Sequence, residues 1–336
     1  MDAYDYPLPE AAIAQDPASP RDSARLLVAT EPGSVRHLRV ADMPDLLGPG
    51  DVLVVNDSRV IPARLLLRKP SGGRVEVLLL EPSADHPGCW EALVRPGRRV
   101  APGTRLWSDD SEVVEVGEPG RDGTRLVRLL APIDGRGSLA LPPYIRRPLA
   151  DPERYQTVYA NRPGSVAAPT AGLHLSHEVL DRCRRRGVEV RALELAVGLD
   201  TFRPVTADRP EDHVIHTERY DVPLETMEAC RRARRVVAVG TTTVRALESA
   251  AATGHLSGRT GLFIHGRYQF RVVDLLMTNF HLPRSSLLLL LAAFCGPRWR
   301  QLYDTALADG YRFLSFGDAM LVGRQPQGEA PGPAGP

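Results

Sequence analysis

Several short segments of the chain combine titratable or hydroxyl side chains with small residues, a pattern typical of ligand sites. The first is GSVAAPTAGLHLS, residues 164–176, where Thr170, Gly172 and His174 stand among residues with little side-chain bulk. Such residues let a ligand or a neighbouring backbone approach closely. A helix is predicted to begin after Ser176 as its N-cap, and the N–H groups at a helix start favour an anion. A tight loop with a structural histidine would explain the same residues.

A second segment, PEDHVIHTE at residues 210–218, concentrates carboxylates and imidazoles. General acid–base chemistry needs groups whose pKa the environment can move toward the operating pH, and histidine already titrates near neutrality. The candidate catalytic residues are His174, Glu211, Asp212, His213 and His216. A solvated loop with structural histidines is the competing interpretation. The spacing of the histidines matches no familiar zinc signature, so no metal is predicted.

Two more segments place polar side chains just after predicted strands, where ligands of open α/β sheets bind. They are VVAVGTTTVRALES and TNFHLPRSSL. The candidate cofactor-binding residues are Thr241, Thr242, Thr243 and Arg245 on the first, Asn279 and His281 on the second, and Thr170 and Gly172 from the histidine segment. The last residue of the strand DVLVVN and the three that follow it, Asn56 to Arg59, are a further polar group at a strand end. The threonines could instead be an N-cap with spare hydroxyls.

The length of 336 residues predicts two domains. From about Val60 to Leu141 short β-rich runs alternate with Gly and Pro, which predicts a small antiparallel barrel or sandwich. Helices and strands alternate after Asp151, which predicts a layered α/β unit that the first strand joins. The predicted organisation is an α/β domain of residues 1–62 and 150–323, a β-barrel inserted at 63–149, and a disordered tail at 324–336.

Composition narrows the class of protein. Lysine occurs only at position 69 and no GxxxxGK segment exists, which argues against simple nucleotide hydrolysis. The four cysteines are scattered without a CxxC pair, so they are predicted to be buried thiols in a reducing compartment. The N-terminal segment lacks the pattern of a secretory signal, and the longest apolar run, 287–295, is too short to span a bilayer. The prediction is a cytoplasmic protein with no membrane association.

Three clusters of arginine interrupt an otherwise balanced charge of +1. They comprise Arg95, Arg98 and Arg99; Arg182, Arg184, Arg185 and Arg186; and Arg231, Arg232, Arg234 and Arg235. Two of the clusters fall in the last turns of predicted helices, where cations complement the helix dipole. An RNA surface and a solvated face both explain them.

Eleven segments, taken in order from about Asp22 to Val322, closely resemble the S-adenosylmethionine:tRNA ribosyltransferase-isomerase family of queuosine biosynthesis. They are DSARLLV, GDVLVVNDSRVIPARL, WEALVRPGRRV, LPPYIRRP, ERYQTVYA, GSVAAPTAGLHLS, VGLDTFRPV, EDHVIHTE, VGTTTVRALES, VVDLLMTNFHLPRSSL and YRFLSFGDAML. The resemblance implies an α/β domain with an inserted β-barrel, in agreement with the strand pattern. It also favours a functional role for the candidate residues over the structural alternatives.

The resemblance further implies a reaction. Members of the family transfer and isomerise the ribosyl part of S-adenosylmethionine onto 7-aminomethyl-7-deazaguanine at the tRNA wobble position, which gives epoxyqueuosine and releases adenine and methionine. On this basis His174 or the group at 211–216 would be the base. Residues 241–243 and Arg245 would hold the methionine carboxylate or ribose, while Asn279 and His281 would orient the ribose or the acceptor amine. A monomer or weak homodimer is expected.

Three departures from the family pattern bear on the acceptor. Ala196 and Asp200 stand where the family usually has histidine and glycine, and residues 265–268 read HGRY in place of a tyrosine–proline–glycine–tyrosine sequence. Two alternatives therefore stay open. One is the same transfer onto a free 7-deazaguanine or another small amine, and the other is a non-catalytic tRNA-binding descendant.

Overall fold

The computed structural model describes residues 1–83, 85–120, 123–133, 135–198, 205, 207–213, 215 and 217–325. The α-helices are α1 His177–Arg185, α2 Leu224–Arg232, α3 Thr241–Thr253, α4 Ser286–Cys295 and α5 Trp299–Ala308. The strands are β1 Arg25–Ala29, β2 Arg36–Arg39, β3 Asp51–Asn56, β4 Ser58–Val60, β5 Arg64–Arg68, β6 Arg74–Pro82, β7 Cys89–Arg95, β8 Thr104–Ser108, β9 Ser111–Pro119, β10 Thr124–Leu129, β11 Gly137–Ser138, β12 Arg162–Ser165, β13 Glu189–Leu195, β14 Glu218–Asp221, β15 Arg235–Val239, β16 Ser257–Thr260, β17 Leu275–Asn279 and β18 Ala319–Gly323.

The larger sheet has nine strands within these ranges, in the order β16, β14, β13, β3, β15, β17, β18, β1, β2. All six residues of β3 are buried, and its alternate side chains face opposite layers. Val52 and Val54 pack in the core that contains α2, α3, α4 and α5, whereas Leu53 and Val55 pack in the core that contains α1. Helices therefore cover both faces of the sheet, which confirms the predicted layered α/β architecture.

The central strands β13, β3, β15 and β17 run parallel, so their carboxyl ends meet at one edge of the sheet. The helices beside that edge are capped as their sequences predict. The Ser176 hydroxyl accepts from the Val179 N–H at the start of α1, and Ser285 caps α4 through Leu288 in the same way. These caps fix the starts of two helices that follow candidate site segments.

The barrel prediction is also confirmed. Strands β5, β6, β7, β10, β9 and β8 pair antiparallel in that order, and a further pairing of β5 with β8 closes the ring. Inward side chains such as Leu65, Val77, Leu106 and Val127 are fully buried in a core of their own. The exact division of the chain into domains at 62/63 and 149/150 stays a prediction, and most of the predicted tail, from 326 onward, lies outside the described residues.

The barrel and the α/β sheet are joined by a bidentate ion pair. Arg259 in β16 contacts both carboxylate oxygens of Glu81 in β6, at 2.8 and 3.0 Å. All four cysteines are buried free thiols, as predicted. Among the described helices none is both long and apolar enough to cross a membrane.

Candidate active site

The carboxyl edge of the parallel strands brings together segments that are far apart in the chain. β3 ends at Asn56, β15 at Val239 and β17 at Asn279. The Asn56 side-chain amide donates to Thr242 at 3.3 Å, which connects β3 to the start of α3. The Gly240 N–H donates to the Met277 carbonyl at 2.8 Å, which connects that start to β17. Ligands of α/β sheets bind at such an edge.

A small cleft of about 300 Å³, its open mouth included, lies at the end of β17. Its walls include three of the candidate residues, Thr170, Asn279 and His281. Apolar side chains and two serines complete the lining, together with a tyrosine: Phe280, Leu282, Leu287, Leu314, Ser285, Ser315 and Tyr144. A few polar groups converging in a mainly apolar cleft are typical of a small-molecule site.

The His174 and Asn279 side chains are hydrogen-bonded to each other. The Asn279 Nδ2 lies 2.8 Å from His174 Nε2, and Asn279 Oδ1 accepts from the Thr170 hydroxyl at 3.0 Å. Burial, with smaller contributions from Arg312 and Arg21, lowers the pKa of His174 to about 4. The imidazole is therefore neutral near pH 7 and accepts the amide proton through Nε2. In this arrangement His174 orients Asn279.

His281 is the second buried imidazole at this edge. Its Nε2 lies 2.9 Å from the Thr278 hydroxyl, and its backbone N–H donates to the Tyr303 hydroxyl at 2.8 Å. The hydroxyl of Tyr6 donates to the His281 carbonyl. Burial alone lowers the pKa of His281 to about 3. Because both backbone groups and the ring are held, His281 is a rigid wall of the cleft.

The two neutral histidines predict a loss of stability in acid. The unfolded chain binds their protons below pH 6.5, whereas the folded chain binds them only near pH 4 and 3. The free energy of unfolding should be greatest above pH 6.5 and fall by about 1.4 kcal/mol per pH unit for each histidine between pH 6 and 4.5. Urea unfolding across this range should show a slope smaller by about that amount for His281→Asn. Equal slopes would contradict the neutral His281, and His177→Asn, which alters an exposed imidazole, is the control.

The threonine segment lies at the start of α3, as predicted. Thr241 and Thr243 are buried, and the Thr243 hydroxyl donates to the Val239 carbonyl at 2.7 Å, which is a structural role. Arg245, one turn later, forms an ion pair with Glu218 and donates to the carbonyls of Leu262 at 2.8 Å and Thr260 at 3.2 Å. The guanidinium is thus already engaged within the protein.

Gly172 is required by close packing. A Cβ at this position would lie 1.9 Å from the Tyr159 hydroxyl oxygen and 3.0 Å from Thr157 Cγ2. The short 3₁₀-helix Thr170–His174 therefore lies against the YQTVY segment. The role of Gly172 shown by these contacts is to admit Tyr159, and its part in cofactor binding stays a prediction.

The described residues of the acid and histidine segment are not among those that line the cleft. Glu211 and Asp212 are exposed, and His213 is half-buried with its ring 5.3 Å from that of Phe263. His216 falls outside the described residues. A catalytic role for this segment stays a prediction.

Asp57, one residue beyond β3, is a further candidate catalytic residue. The sequence indicated it only as one member of the polar group at the end of that strand. The residue is 6% exposed, and its Oδ1 has no hydrogen-bond partner among the described residues. Its Oδ2 lies 3.4 Å from Arg162 Nε. The other buried carboxylates of the described residues have partners on both oxygens: Asp51, Glu194, Glu218, Glu248 and Asp318.

The surroundings of Asp57 suit acid–base chemistry. Burial raises the pKa of Asp57, Arg162 opposes that shift, and Glu194 adds to it. Tyr159 is an electrostatic neighbour, because the Asp57 carboxylate helps burial to raise the pKa of that phenol. The hydroxyls of Tyr159 and Thr157 are likewise buried without a hydrogen-bond partner among the described residues. The arrangement provides a carboxylate whose pKa is raised and which has one oxygen without a hydrogen-bond partner among the described residues.

The family model for queuosine biosynthesis proteins matches residues 1–322. The chain belongs to this family. An S-adenosylmethionine:tRNA ribosyltransferase-isomerase of Thermus thermophilus is 54% identical, with 96% of this chain and 99% of that protein covered. The corresponding protein of Rubrobacter xylanophilus is 48% identical over 96% and 97% of the two chains.

A solved structure is similar as well. The crystal structure of S-adenosylmethionine tRNA ribosyltransferase from Thermotoga maritima has a TM-score of 0.55 and 36% identity, covering 95% of this chain and 99% of that one. Of the departures from the family pattern, Ala196 lies just after β13 and is half-buried, while Asp200 falls outside the described residues. The His265 ring packs 4.7 Å from that of Phe263, near His213.

Proposed function

We propose that the chain transfers and isomerises the ribosyl group of S-adenosylmethionine onto 7-aminomethyl-7-deazaguanine at the wobble position of tRNA. The products would be epoxyqueuosine in the tRNA, free adenine and free methionine. The observation that carries this proposal is the match over nearly the whole chain to relatives named for this activity. The cleft at the carboxyl edge of the sheet supports it, because that edge is where such a fold binds its small-molecule substrates.

The donor would bind with its methionine carboxylate at the start of α3. The thirteen-residue helix directs its first N–H groups, from Thr241 to Thr243, toward the same edge, and such a helix start favours an anion. The helix start is preferred to Arg245 as the site of the carboxylate, because the Arg245 guanidinium already contacts Glu218 and two carbonyls. Asn279, oriented by His174 and Thr170, would then hydrogen-bond the ribose, and His281 would form the wall behind it.

Asp57 is the group we assign as the base. The sulfonium of the donor acidifies the C–H bonds of the adjacent ribose carbon, so a positioned base can start the reaction by removing one of these protons. The proton would pass to Asp57 Oδ1, the oxygen without a partner among the described residues. The C–N bond to adenine then breaks and adenine takes up the proton held by Asp57, while methionine leaves with the electron pair of the C–S bond. The acceptor nitrogen forms the new C–N bond and loses one proton to solvent, and all the ribosyl carbons and oxygens are retained in the epoxide-bearing ring of the product.

Adenine release tests this function. The purified protein with S-adenosylmethionine should release adenine only when tRNA carrying 7-aminomethyl-7-deazaguanine is added, because transfer needs the acceptor amine. The same tRNA with unmodified guanine at the wobble position is the control. Release with neither RNA nor another amine acceptor, or no release under any condition, would contradict the proposal.

The same assay separates the alternatives. Adenine release on addition of free 7-aminomethyl-7-deazaguanine, but not on addition of the tRNA, would favour a small acceptor, as the Ala196 departure allows. Tight tRNA binding without binding of S-adenosylmethionine would favour a non-catalytic descendant. The comparisons favour neither, because the named relatives cover almost the entire chain.

A further inference from the structure

The three arginine clusters of the sequence differ in their ion pairs. The cluster in and just after α1 is paired with acids: Arg182 and Arg186 with Asp45, Arg184 with Asp181, and Arg185 with Glu178. In the cluster at the end of α2, Arg234 and Arg235 both contact the buried Asp51. The barrel cluster, Arg95, Arg98 and Arg99, is exposed and has no ion pair with any acid in the described ranges.

Two more arginines lie on the same part of the barrel, directly opposite each other. Arg68 in β5 pairs in register with Arg74 in β6, so both side chains point outward from neighbouring strands. Like charges in this position destabilise a sheet, and neither arginine has an ion pair to a described acid. Trp107 in β8 lies opposite Arg68 on its other side and is half-buried. An anion held between the two guanidinium groups would remove the repulsion.

These residues join the arginine cluster into one surface. Lys69 Nζ donates to the Arg99 carbonyl at 3.0 Å, which connects the β5–β6 turn to residues 97–99. Arg95 lies opposite Glu76, two residues along the same face from Arg74. We call the barrel patch the set of Arg68, Lys69, Arg74, Arg95, Arg98 and Arg99 with Trp107 and Leu66, whose side chain is 71% exposed.

The charge of the barrel patch is almost uncompensated. Two acids lie beside it, and each is paired with an arginine outside the patch. Glu76, opposite Arg95, lies 3.7 Å from Arg64. Glu112, opposite Trp107, lies 2.8 Å from Arg105. The whole chain has a formal charge of only +1, so six cations on one side of the barrel are a local concentration. Exposed arginines beside an accessible indole and an exposed leucine match the chemistry of RNA, whose phosphates bind guanidinium groups and whose bases stack on aromatic rings.

We infer that the barrel patch binds the phosphate backbone of the tRNA substrate outside the wobble nucleotide. The inference rests on the proposed function for the identity of the RNA. It assigns to the barrel the positioning of tRNA, while the α/β edge performs the chemistry. Binding by backbone contacts should be steeply dependent on salt and largely independent of sequence.

The test compares two triple variants of the full-length protein that lose the same charge. One is Arg68→Gln/Arg74→Gln/Arg95→Gln on the barrel patch, and the matched control is Arg184→Gln/Arg185→Gln/Arg186→Gln on the ion-paired cluster. The dissociation constant for tRNA is measured by fluorescence anisotropy at salt concentrations from about 50 to about 200 mM. S-adenosylmethionine binding is measured separately by calorimetry.

The barrel variant should bind tRNA at least about 10-fold more weakly, with a salt slope reduced by roughly 2 to 3, since each lost phosphate contact removes about 0.7 to 0.9. Its affinity for S-adenosylmethionine should equal that of the unaltered protein, and its thermal unfolding temperature should be no lower, because removing Arg68 and Arg74 removes a repulsion. The control should bind tRNA within about 2-fold. Unchanged affinity and slope in the barrel variant, or equal weakening in the control, would overturn the inference. The readout is binding, so a protein without ribosyl transfer would refute the function while leaving this test valid.

Discussion

Asp57→Asn should reduce turnover by at least about 100-fold with little change in the affinity for S-adenosylmethionine. The substitution keeps the shape of the side chain but removes the oxygen that can take a proton, and positioned general bases contribute about 10² to 10⁴ in rate. Because burial raises the pKa of Asp57, the unaltered enzyme should lose activity in acid at a pH above the ordinary range of aspartate. Steady-state adenine release measured across pH checks both points.

Asp221→Asn is the matched control for this prediction. Asp221 also contacts Arg162, at 2.7 Å, but its side chain is 42% exposed and it is not placed at the site. The control should keep turnover within about 2-fold, so that loss in Asp57→Asn cannot be assigned to a disturbed Arg162. Activity of Asp57→Asn within about 2-fold of the unaltered protein, with its acid limb intact, would remove Asp57 from the reaction.

Arg245→Met should lower the free energy of unfolding by about 3 to 5 kcal/mol. The Arg245 and Glu218 side chains are 11% and 8% exposed, and removal of one member of a buried ion pair leaves the other charge uncompensated. The double variant Arg245→Met/Glu218→Gln should recover a large part of the loss, because no buried charge remains. Urea unfolding of the two variants and the unaltered protein measures this recovery.

The control is Arg185→Met, which breaks an ion pair whose two side chains are 62% and 66% exposed. Its cost should stay below about 1 kcal/mol, as for other exposed pairs. One outcome would contradict this structural role of Arg245 and place it in the S-adenosylmethionine site. If Arg245→Met were as stable as the unaltered protein and raised the KM for S-adenosylmethionine, the guanidinium would be a ligand of the substrate carboxylate.

The sequence predicted the architecture well because local patterns determine most of it. Alternation of helices with buried strands predicted the layered sheet, and serine caps predicted the starts of α1 and α4. The sequence predicts the bounds of an element less well where contacts with residues distant in the chain determine them. The β-rich run RVVDLLMT, residues 271–278, predicts a strand over its whole length. The strand β17 begins only at Leu275, because the N–H groups of residues 271–273 donate to the buried Glu248 carboxylate.

The candidate site was predictable in part. Thr170, His174, Asn279 and His281 were predicted from segments about 105 residues apart, and the structure joins them through the His174–Asn279 hydrogen bond. The engagement of Arg245 by Glu218 could not be foreseen, since it depends on the pairing of β14 with its neighbours. The candidacy of Asp57 was equally hidden, because only the folded structure shows that its Oδ1 is buried without a hydrogen-bond partner among the described residues.

The most direct test of the central claim is mass spectrometry of the wobble nucleoside after incubation of tRNA carrying 7-aminomethyl-7-deazaguanine with the protein and S-adenosylmethionine. We predict the mass of epoxyqueuosine, with one adenine released for each nucleoside converted. A wobble nucleoside of unchanged mass, from a folded protein that binds both substrates, would contradict the account.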